Sequence, residues 1–260
     1  MGQQSTRSDA SFTYLGKRFP NLDAAERVTG RAKYVGDIEL PGMLFARVLR
    51  SPHAHARIVS IDTSKAEALA GVRAVVTYKD APKVDLWGHR QRVLNERIRF
   101  HREAVAAVAA VSRDVADKAL ALINVQYEVL PFVLDPEEAL KPGAPQLFED
   151  GNLEGKERVL TRGDIEKGFA ESDRVIEHMY HCPTMWSGSL EPRSNIAQWE
   201  GNRLTLWCAT QAPGRGQDNL CALFDLPEAN VRIIASYVGS GFGTKSAPHS
   251  DEGITALLAK

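Results

Sequence analysis

One stretch of this chain has the composition of a chemical site: SYVGSGFGTKS, residues 236–246, which joins a β-branched run to a segment with helical character. Glycines followed by Lys-Ser raise the possibility of a phosphate-binding P-loop, G-x-x-x-x-G-K-[ST]. That motif needs glycine at its sixth position, where the backbone turns sharply and its N–H groups face phosphate. Counted from Gly239, the sixth position is Thr244, so Lys245 and Ser246 fit while the demanding position does not. The dinucleotide pattern G-x-G-x-x-G fails at the same residue. A tight strand-to-helix turn with glycines at positive φ is the plainer reading. Three glycines alternating around one aromatic, Phe242, suggest more: backbone brought close to a bulky ligand, with few side chains in the way.

Other candidates carry less chemistry. His53 and His55 share a face if SPHAHARI is a strand, as zinc ligands would, yet no third ligand stands nearby, and packing and hydrogen bonding account for them better. His178 and His181 lack partners at any recognisable spacing. Trp199 and Trp207, on adjacent predicted strands, read as core. Cys182, Cys208 and Cys221 form no C-x-x-C pair, which argues against a zinc ribbon, an iron–sulfur cluster or a disulfide framework, and for a reducing cytoplasm.

The elements that must position the loop follow from pattern. The chain has 260 residues, 43 % of them hydrophobic, enough for a sizeable core. A net charge of −1 gives no basis for a nucleic-acid or membrane surface, and no apolar run reaches the length of a membrane span. The first residues lack the apolar centre of a signal peptide, and the partial myristoylation match at Gly2 and Thr6 is read as chance. Residues 1–23 read as a polar tail. MLFARVLRS, ARIVSIDTS and VRAVVTYKD read as strands, KAEALA as a short helix. EAVAAVAAVS suits a buried strand or a helix equally; the helix after it is capped by Ser112, and INVQYEVLP resumes β character. This alternation predicts an α/β or α+β domain over residues 24–135.

Pro136, Pro142, Gly143, Pro145 and Gly151 mark 136–156 as a linker by composition. A second unit, 157–260, then runs through a helix at DIEKGFAES, strands at RVIEHMYHC, SNIAQWEG and NRLTLWCAT, and a helix at GRGQDNLCALFDL that Pro227 ends. VRIIASYV delivers the loop, and a helix capped by Ser250 follows. The pattern stops in mid-helix at Lys260, so the second unit is expected to be incomplete here.

With these segments in order, the chain resembles the large, molybdopterin-binding subunit of the xanthine dehydrogenase/aldehyde oxidase family. ERVTGRAKYVGDIELPGMLFARVLRSPHAHARIVSIDTSKA and REAVAAVAAVSRDVADKALALINVQYEVLPFVLDPEEAL carry the likeness in the first unit. TRGDIEKGF, GSLEPRSNIAQWEG, LTLWCATQAPG and YVGSGFGTK, similar to the family's G-G-G-F-G-G-K loop, carry it in the second. The resemblance implies an α+β fold: an a/b hammerhead domain, then the first part of a molybdenum-cofactor-binding domain. It implies a molybdenum–molybdopterin cofactor, plain or as its cytosine dinucleotide, held by pterin rather than by protein ligands to the metal. It implies hydroxylation of an aldehyde or aromatic N-heterocycle with water, electrons leaving through 2Fe-2S and FAD groups on partner subunits. The remaining part of the molybdenum subunit would be a further partner.

Residue by residue, the resemblance places Gly239, Ser240, Gly241, Phe242 and Gly243 against the cofactor, with Gln211 of TQAP as a further polar contact. Ser240 and Thr244 stand where the family has glycine. Ser246 stands where purine-oxidising members carry a glutamate, and Met185 where many carry a glutamine near the metal; both are assigned to the substrate pocket. Glu191 either orients the loop or makes an ordinary salt bridge. The family's base, a glutamate near the subunit's C-terminus, has no counterpart here, so no catalytic residue and no metal ligand is assigned. A non-catalytic assembly piece is the alternative function, and a P-loop-like NTPase the remote one.

Overall fold

The computed structural model describes residues 13–86, 91–155 and 158–260; the Gly2–Thr6 match and the first half of the predicted tail lie outside them. The chain opens with a short helix, α1 (Ala24–Val28), and a single 3-10 turn at Val35–Asp37. Strands β1 (Phe45–Arg50) and β2 (Ala56–Asp62) lead into α2 (Ser64–Glu67) and β3 (Val72–Thr77). The short β4 (Arg97–Ile98) precedes β5 (Ala104–Ala110), α3 (Arg113–Leu122) and β6 (Asn124–Val129). Two antiparallel three-stranded sheets result, ordered β1-β5-β3 and β4-β2-β6.

The ambiguous run AVAAVAA is strand β5, the centre of its sheet, and every residue in it is buried. Both faces are covered, so the sequence shows no alternation of polarity. Alternate residues enter different cores. Ala107 and Ala109 join the largest cluster, Val105 packs with Ile58 and Ile98, and Val108 packs with Ala66 and Ala119 under α3. Ser112 caps α3 as expected, its hydroxyl accepting from the Val115 N–H at 3.3 Å.

The Pro/Gly-rich stretch beyond β6 is a pinned strap. Asp135 caps α4 (Pro136–Ala139) by accepting from the N–H groups of Glu137 and Glu138. Asn152 then ties three turns together, donating to Ala139 O and Pro145 O at 2.9 Å each and accepting from Leu147 N–H. Arg97 and Arg99 hold the carbonyls of Gln146 and Leu147, and the Arg99 guanidinium lies 4.7 Å from the Phe148 ring centre. Composition reported the backbone punctuation and missed these cross-links, which come from side chains distant in sequence.

Beyond α5 (Ile165–Ala170), residues 174–190 form no helix or strand, and no backbone hydrogen bond ties them to the rest of the described chain. RVIEHMYHC is therefore not a strand here. A strand exists only by pairing, and no described segment lies alongside it. Its apolar residues stand in the open, with Ile176 82 % and Met179 87 % exposed.

The third sheet has the order β7 (Asn195–Glu200), β8 (Arg203–Cys208), β9 (Val231–Ile234). The Gly201-Asn202 turn joins β7 and β8 antiparallel, whereas β8 and β9 run parallel through the crossover helix α6 (Pro213–Phe224). Helix α7 (Ser250–Ala259) packs on β7 and also on β5 and β3 of the first sheet. One core thus runs from Val76, Leu94 and Ala107 to Leu204, Leu220 and Ile254, across the strap that separates the two units in sequence. Trp199 is half-buried and packs against this core, its ring edge-on to Phe224 at 5.2 Å and its indole N–H donating to Ala256 O, whereas Trp207, also half-buried, joins none of the buried clusters.

Gly253 lets α7 into that seam. A Cβ there would lie 2.7 Å from a Val93 methyl and 2.9 Å from a Leu223 methyl. Gly253→Ala is expected to lower unfolding stability by about 1–2 kcal/mol, since overpacking outweighs the helix-propensity gain. The urea midpoint measures this, and an unchanged midpoint would mean a looser seam.

Candidate functional site

In an open sheet, loops leaving the carboxyl ends of parallel strands converge on one edge. Strands β8 and β9 do this here. The loop Ala209–Ala212 leaves β8 and the loop Gly239–Ser246 follows β9, and they lie side by side. Gln211 N–H donates to Lys245 O at 2.8 Å, and the Thr210 hydroxyl reaches the same oxygen at 3.3 Å. A third segment, Ser189–Ser194, runs into β7 behind them, with Glu191 N–H donating to Gly239 O at 3.2 Å and Ala209 N–H to Ser194 O at 3.2 Å.

Glu191 closes the loop. Its Oε2 accepts from Gly239 N–H at 2.6 Å and from the Lys245 ammonium at 2.8 Å, so one carboxylate oxygen holds both ends of a seven-residue segment. Lys245 is 1 % exposed, and the Glu191 side chain 10 %. Both sequence readings of Glu191 hold together: it is a buried salt bridge and it orients the loop. The P-loop reading loses its lysine. A side chain sealed in the interior against a carboxylate offers no charge to a phosphate outside.

Arg193 supports the loop's far end. Its Nη1 donates to Thr244 O at 2.5 Å and its Nη2 pairs with Glu252, whose side chain is buried in α7. Glu252 also accepts from His249 N–H at 2.8 Å, which caps α7. The N-cap is therefore His249 rather than Ser250, because the Glu252 carboxylate reaches back to the N–H one residue earlier. Burial raises the Glu252 carboxyl above its ordinary value, with Arg193 opposing. Burial and the nearby Arg193 charge together hold the His249 imidazole below its ordinary 6.5.

The His249 shift sets a pH dependence. Below the ordinary imidazole value the unfolded chain takes up a proton that the folded chain declines, so stability is lost as pH falls through that window. His249→Asn is expected to reduce the loss of unfolding free energy between about pH 7.5 and about pH 5.5. Denaturant titrations at the two pH values test it, and an identical slope in the variant would contradict it.

The glycines act by shape. Gly239 and Gly241 do not carry the positive φ of a glycine turn; that falls on Ser240 (71°), Phe242 (48°) and Gly243 (89°). A Cβ on Gly239 would lie 2.6 Å from Glu191 Cβ, and one on Gly241 would lie 2.1 Å from Gln211 Oε1. Behind Gly239 stands the root of the Glu191 side chain, and behind Gly241 the amide end of Gln211. Ser240 carries its strain with its hydroxyl donating to Gly239 O at 2.5 Å. Among the described residues, the N–H groups of Ser240, Gly241, Phe242 and Gly243 meet no protein acceptor. Four consecutive unmatched donors, beside a Phe242 ring that is 72 % exposed, make a surface fitted to a flat ligand rich in acceptors.

Of the sequence candidates, Gly239, Ser240, Gly241, Phe242, Gly243 and Gln211 converge. Ser246 closes the loop on itself, its hydroxyl donating to Gly243 O at 2.5 Å. Met185 is 83 % exposed in the 174–190 segment; that segment's recorded tie to the loop is Ser187 Oγ, 3.5 Å from Thr244 Oγ1. His55 is structural: Nδ1 donates to Pro131 O and Nε2 accepts from Arg97 Nε at 3.1 Å. His53 stacks edge-on against Tyr127 at 5.0 Å. No group of three His, Cys, Asp or Glu among the described residues is disposed to hold a metal ion. Sequence reasoning did not assign roles to Lys245, Arg193 or Glu252. The available signal was the spacing of Ser189, Glu191 and Arg193, three polar residues two apart just ahead of a predicted strand.

Comparison with known proteins gives this geometry a context. Residues 29–131 match the model of the aldehyde oxidase and xanthine dehydrogenase a/b hammerhead domain, and residues 149–260 that of the molybdopterin cofactor-binding domain. The chain is 41 % identical over 228 residues to a probable xanthine dehydrogenase subunit of Bacillus subtilis (strain 168), covering 86 % of this chain and 30 % of that protein. It is 34 % identical over 239 residues to the nicotinate dehydrogenase large molybdopterin subunit of Eubacterium barkeri, covering 90 % of this chain and 56 % of the relative. The quinoline 2-oxidoreductase structure from Pseudomonas putida 86 superposes with a TM-score of 0.79 at 34 % identity, over 92 % of this chain and 32 % of that one. The chain spans between about a third and just over half of the length of these relatives.

Proposed function

Because the chain belongs to the aldehyde oxidase and xanthine dehydrogenase family, with a hammerhead domain followed by a molybdopterin cofactor-binding domain, we propose that it forms part of a molybdenum hydroxylase. The reaction is oxidation of an aldehyde or an aromatic N-heterocycle, with water as the oxygen source. The observation that carries this reading is the row of four unmatched N–H groups on Ser240–Gly243, backed by the tight Gly239 and Gly241 positions.

These residues suit the cofactor. Ser240–Gly243 would donate hydrogen bonds to its acceptor atoms, Gln211 would brace the loop beneath Gly241, and Phe242 would give the substrate an apolar wall. When bound, molybdenum–molybdopterin supplies the two-electron oxidation and the activated water. The protein's task is to hold the donor row rigid, so that its dipoles need no rearrangement during reaction. Glu191, Lys245 and Arg193 do this from behind.

Ser246 directs the substrate class. In the resemblance it replaces the glutamate of purine-oxidising members, and its hydroxyl already bonds within the loop. A purine would find no carboxylate there, so we favour an aldehyde or a less polar N-heterocycle. Two of the relatives are named for nicotinate and quinoline, both N-heterocycles.

The remaining part of the molybdenum subunit would cover residues 174–190, where Trp186 is 87 % and Leu190 96 % exposed. Iron–sulfur and FAD subunits would carry electrons away, because Cys182, Cys208 and Cys221 differ in burial and form no cluster site among the described residues. No helix among the described residues is long and apolar enough to cross a membrane. The three free cysteines suit a reducing compartment, and on that ground we favour the cytoplasm. The test is metal analysis of the purified native complex, with pterin fluorescence after denaturation. Molybdenum and pterin near one per complex are expected, with the cytosine dinucleotide distinguished by nucleotide release on hydrolysis. Their absence from a correctly assembled complex would overturn the reading in favour of an assembly piece.

A further inference from the structure

Helix α1 has five residues and buries none of them. A helix this short does not persist alone, and it has no apolar face to anchor it. Its tertiary attachments meet on one side chain, Tyr237. The Tyr237 hydroxyl donates to Glu26 Oε2, and the Arg27 guanidinium lies 5.6 Å from the Tyr237 ring centre. Asp23 fixes Arg27 through a 2.6 Å bond to its Nε. The Tyr34 ring packs against Tyr237 with centroids 5.8 Å apart.

Tyr237 stands two residues before Gly239, on the stretch that carries β9 into the glycine loop. Tyr34 touches the same place from the other side, its Cε1 3.4 Å from where a Gly239 Cβ would stand. The loop is therefore held from behind by Glu191 and at its entrance by a segment some two hundred residues away in sequence, a separation of 211 for the Glu26–Tyr237 pair.

We propose that residues 23–37 form a latch on the cofactor loop, in which Glu26, Arg27 and Tyr34 position Tyr237 and thereby set the entry of Gly239. These are positioning residues, and the proposal rests on the molybdopterin reading given above. With the latch closed, Gly239 N–H stays on Glu191 and the following four N–H groups keep their places. With it open, the loop's entrance is free to swing and the donor row loses its fixed position. The hydrogen bond to Glu26 holds the Tyr237 phenol above its usual range. The Glu26 and Arg27 contacts lie at the surface, where water competes for each of them, while Ala32 and Val35 anchor the end of the segment in the interior, so the α1 end of the latch can open without unfolding the core.

The test uses the native complex with Tyr237→Phe, Glu26→Ala and Glu26→Gln, reading hydrogen–deuterium exchange of residues 239–246 and molybdenum retained through repeated gel filtration. Tyr237→Phe and Glu26→Ala are expected to speed exchange in the loop by about five-fold, the equivalent of one lost hydrogen bond, with the global unfolding midpoint near wild type. Both should lose molybdenum faster. Glu26→Gln keeps an oxygen for the phenol and should behave as wild type. Unchanged loop exchange in Tyr237→Phe overturns the latch, as does equal exchange in all three variants. Faster exchange with wild-type molybdenum retention overturns its link to the cofactor. If the wild-type complex holds no molybdenum, the proposed function fails, while the exchange measurement still decides the latch.

Discussion

Glu191→Ala is expected to destabilise the protein by about 3–5 kcal/mol, the usual cost of stranding one member of a buried ion pair. The Lys245 ammonium would be left in the interior, at 1 % exposure, with no counter-charge. Gly239 N–H would lose its acceptor at the same time. Lys245→Met should cost less, because Glu191 keeps the Gly239 bond and the methionine fills the same space. Urea denaturation orders the two variants, and limited proteolysis shows whether the loop opens before the core. A P-loop protein would behave in reverse: losing the lysine would abolish nucleotide affinity and hardly move stability. A Glu191→Ala protein with the wild-type midpoint would refute the clasp.

Gly239→Ala is expected to cost about 2–3 kcal/mol and to prevent cofactor retention, the upper end of ordinary overpacking. The added methyl would meet Glu191 Cβ at 2.6 Å, and a Cβ cannot swing aside without moving its own backbone. The clash would press on the residue that clasps the loop. Gly241→Ala offers the contrast. The atoms in its way are the amide end of Gln211, which is exposed and can turn outward. Its stability should change by less than about 1 kcal/mol, while the Gln211 brace is lost. Ser240→Gly would remove a non-glycine residue at φ 71°, but the freer unfolded chain offsets the relief, leaving a change within about 0.5 kcal/mol. Denaturation midpoints with molybdenum content separate the three substitutions. Equal losses at 239 and 241 would mean that glycine is required for conformation rather than for close approach.

Much of the architecture was legible in local pattern. β1, β2 and β3, the Ser112-capped helix and the β7–β8 hairpin around Gly201-Asn202 are fixed by β-branched content, caps and turn residues that act within a few positions. The glycine loop was legible because a concentration of glycine beside one aromatic signals close approach of backbone whatever the fold. Two segments were misjudged or left open for one shared reason. AVAAVAA could not be identified as a strand, because both its faces are buried, one of them against α7 far along the chain, and a run buried on both faces shows no alternation. RVIEHMYHC has the composition of a strand, yet strand structure depends on a partner that the described chain does not place beside it.

The sequence by itself determined the residue types of the site: which positions lack a side chain, where the lone Phe242 stands, and that Thr244 breaks the nucleotide motif. The tertiary structure alone decided what those residues do. It turned Lys245 inward onto Glu191, put positive φ on Ser240 and Phe242 rather than on Gly239 and Gly241, and brought Tyr34 and Glu26 to the loop's entrance. The physical reason is range. Caps, turns and alternation act over a few residues and can be read in order along the chain. A buried charge, a close backbone approach and a long-range brace depend on what the fold places beside them, and that proximity is not written at any one position.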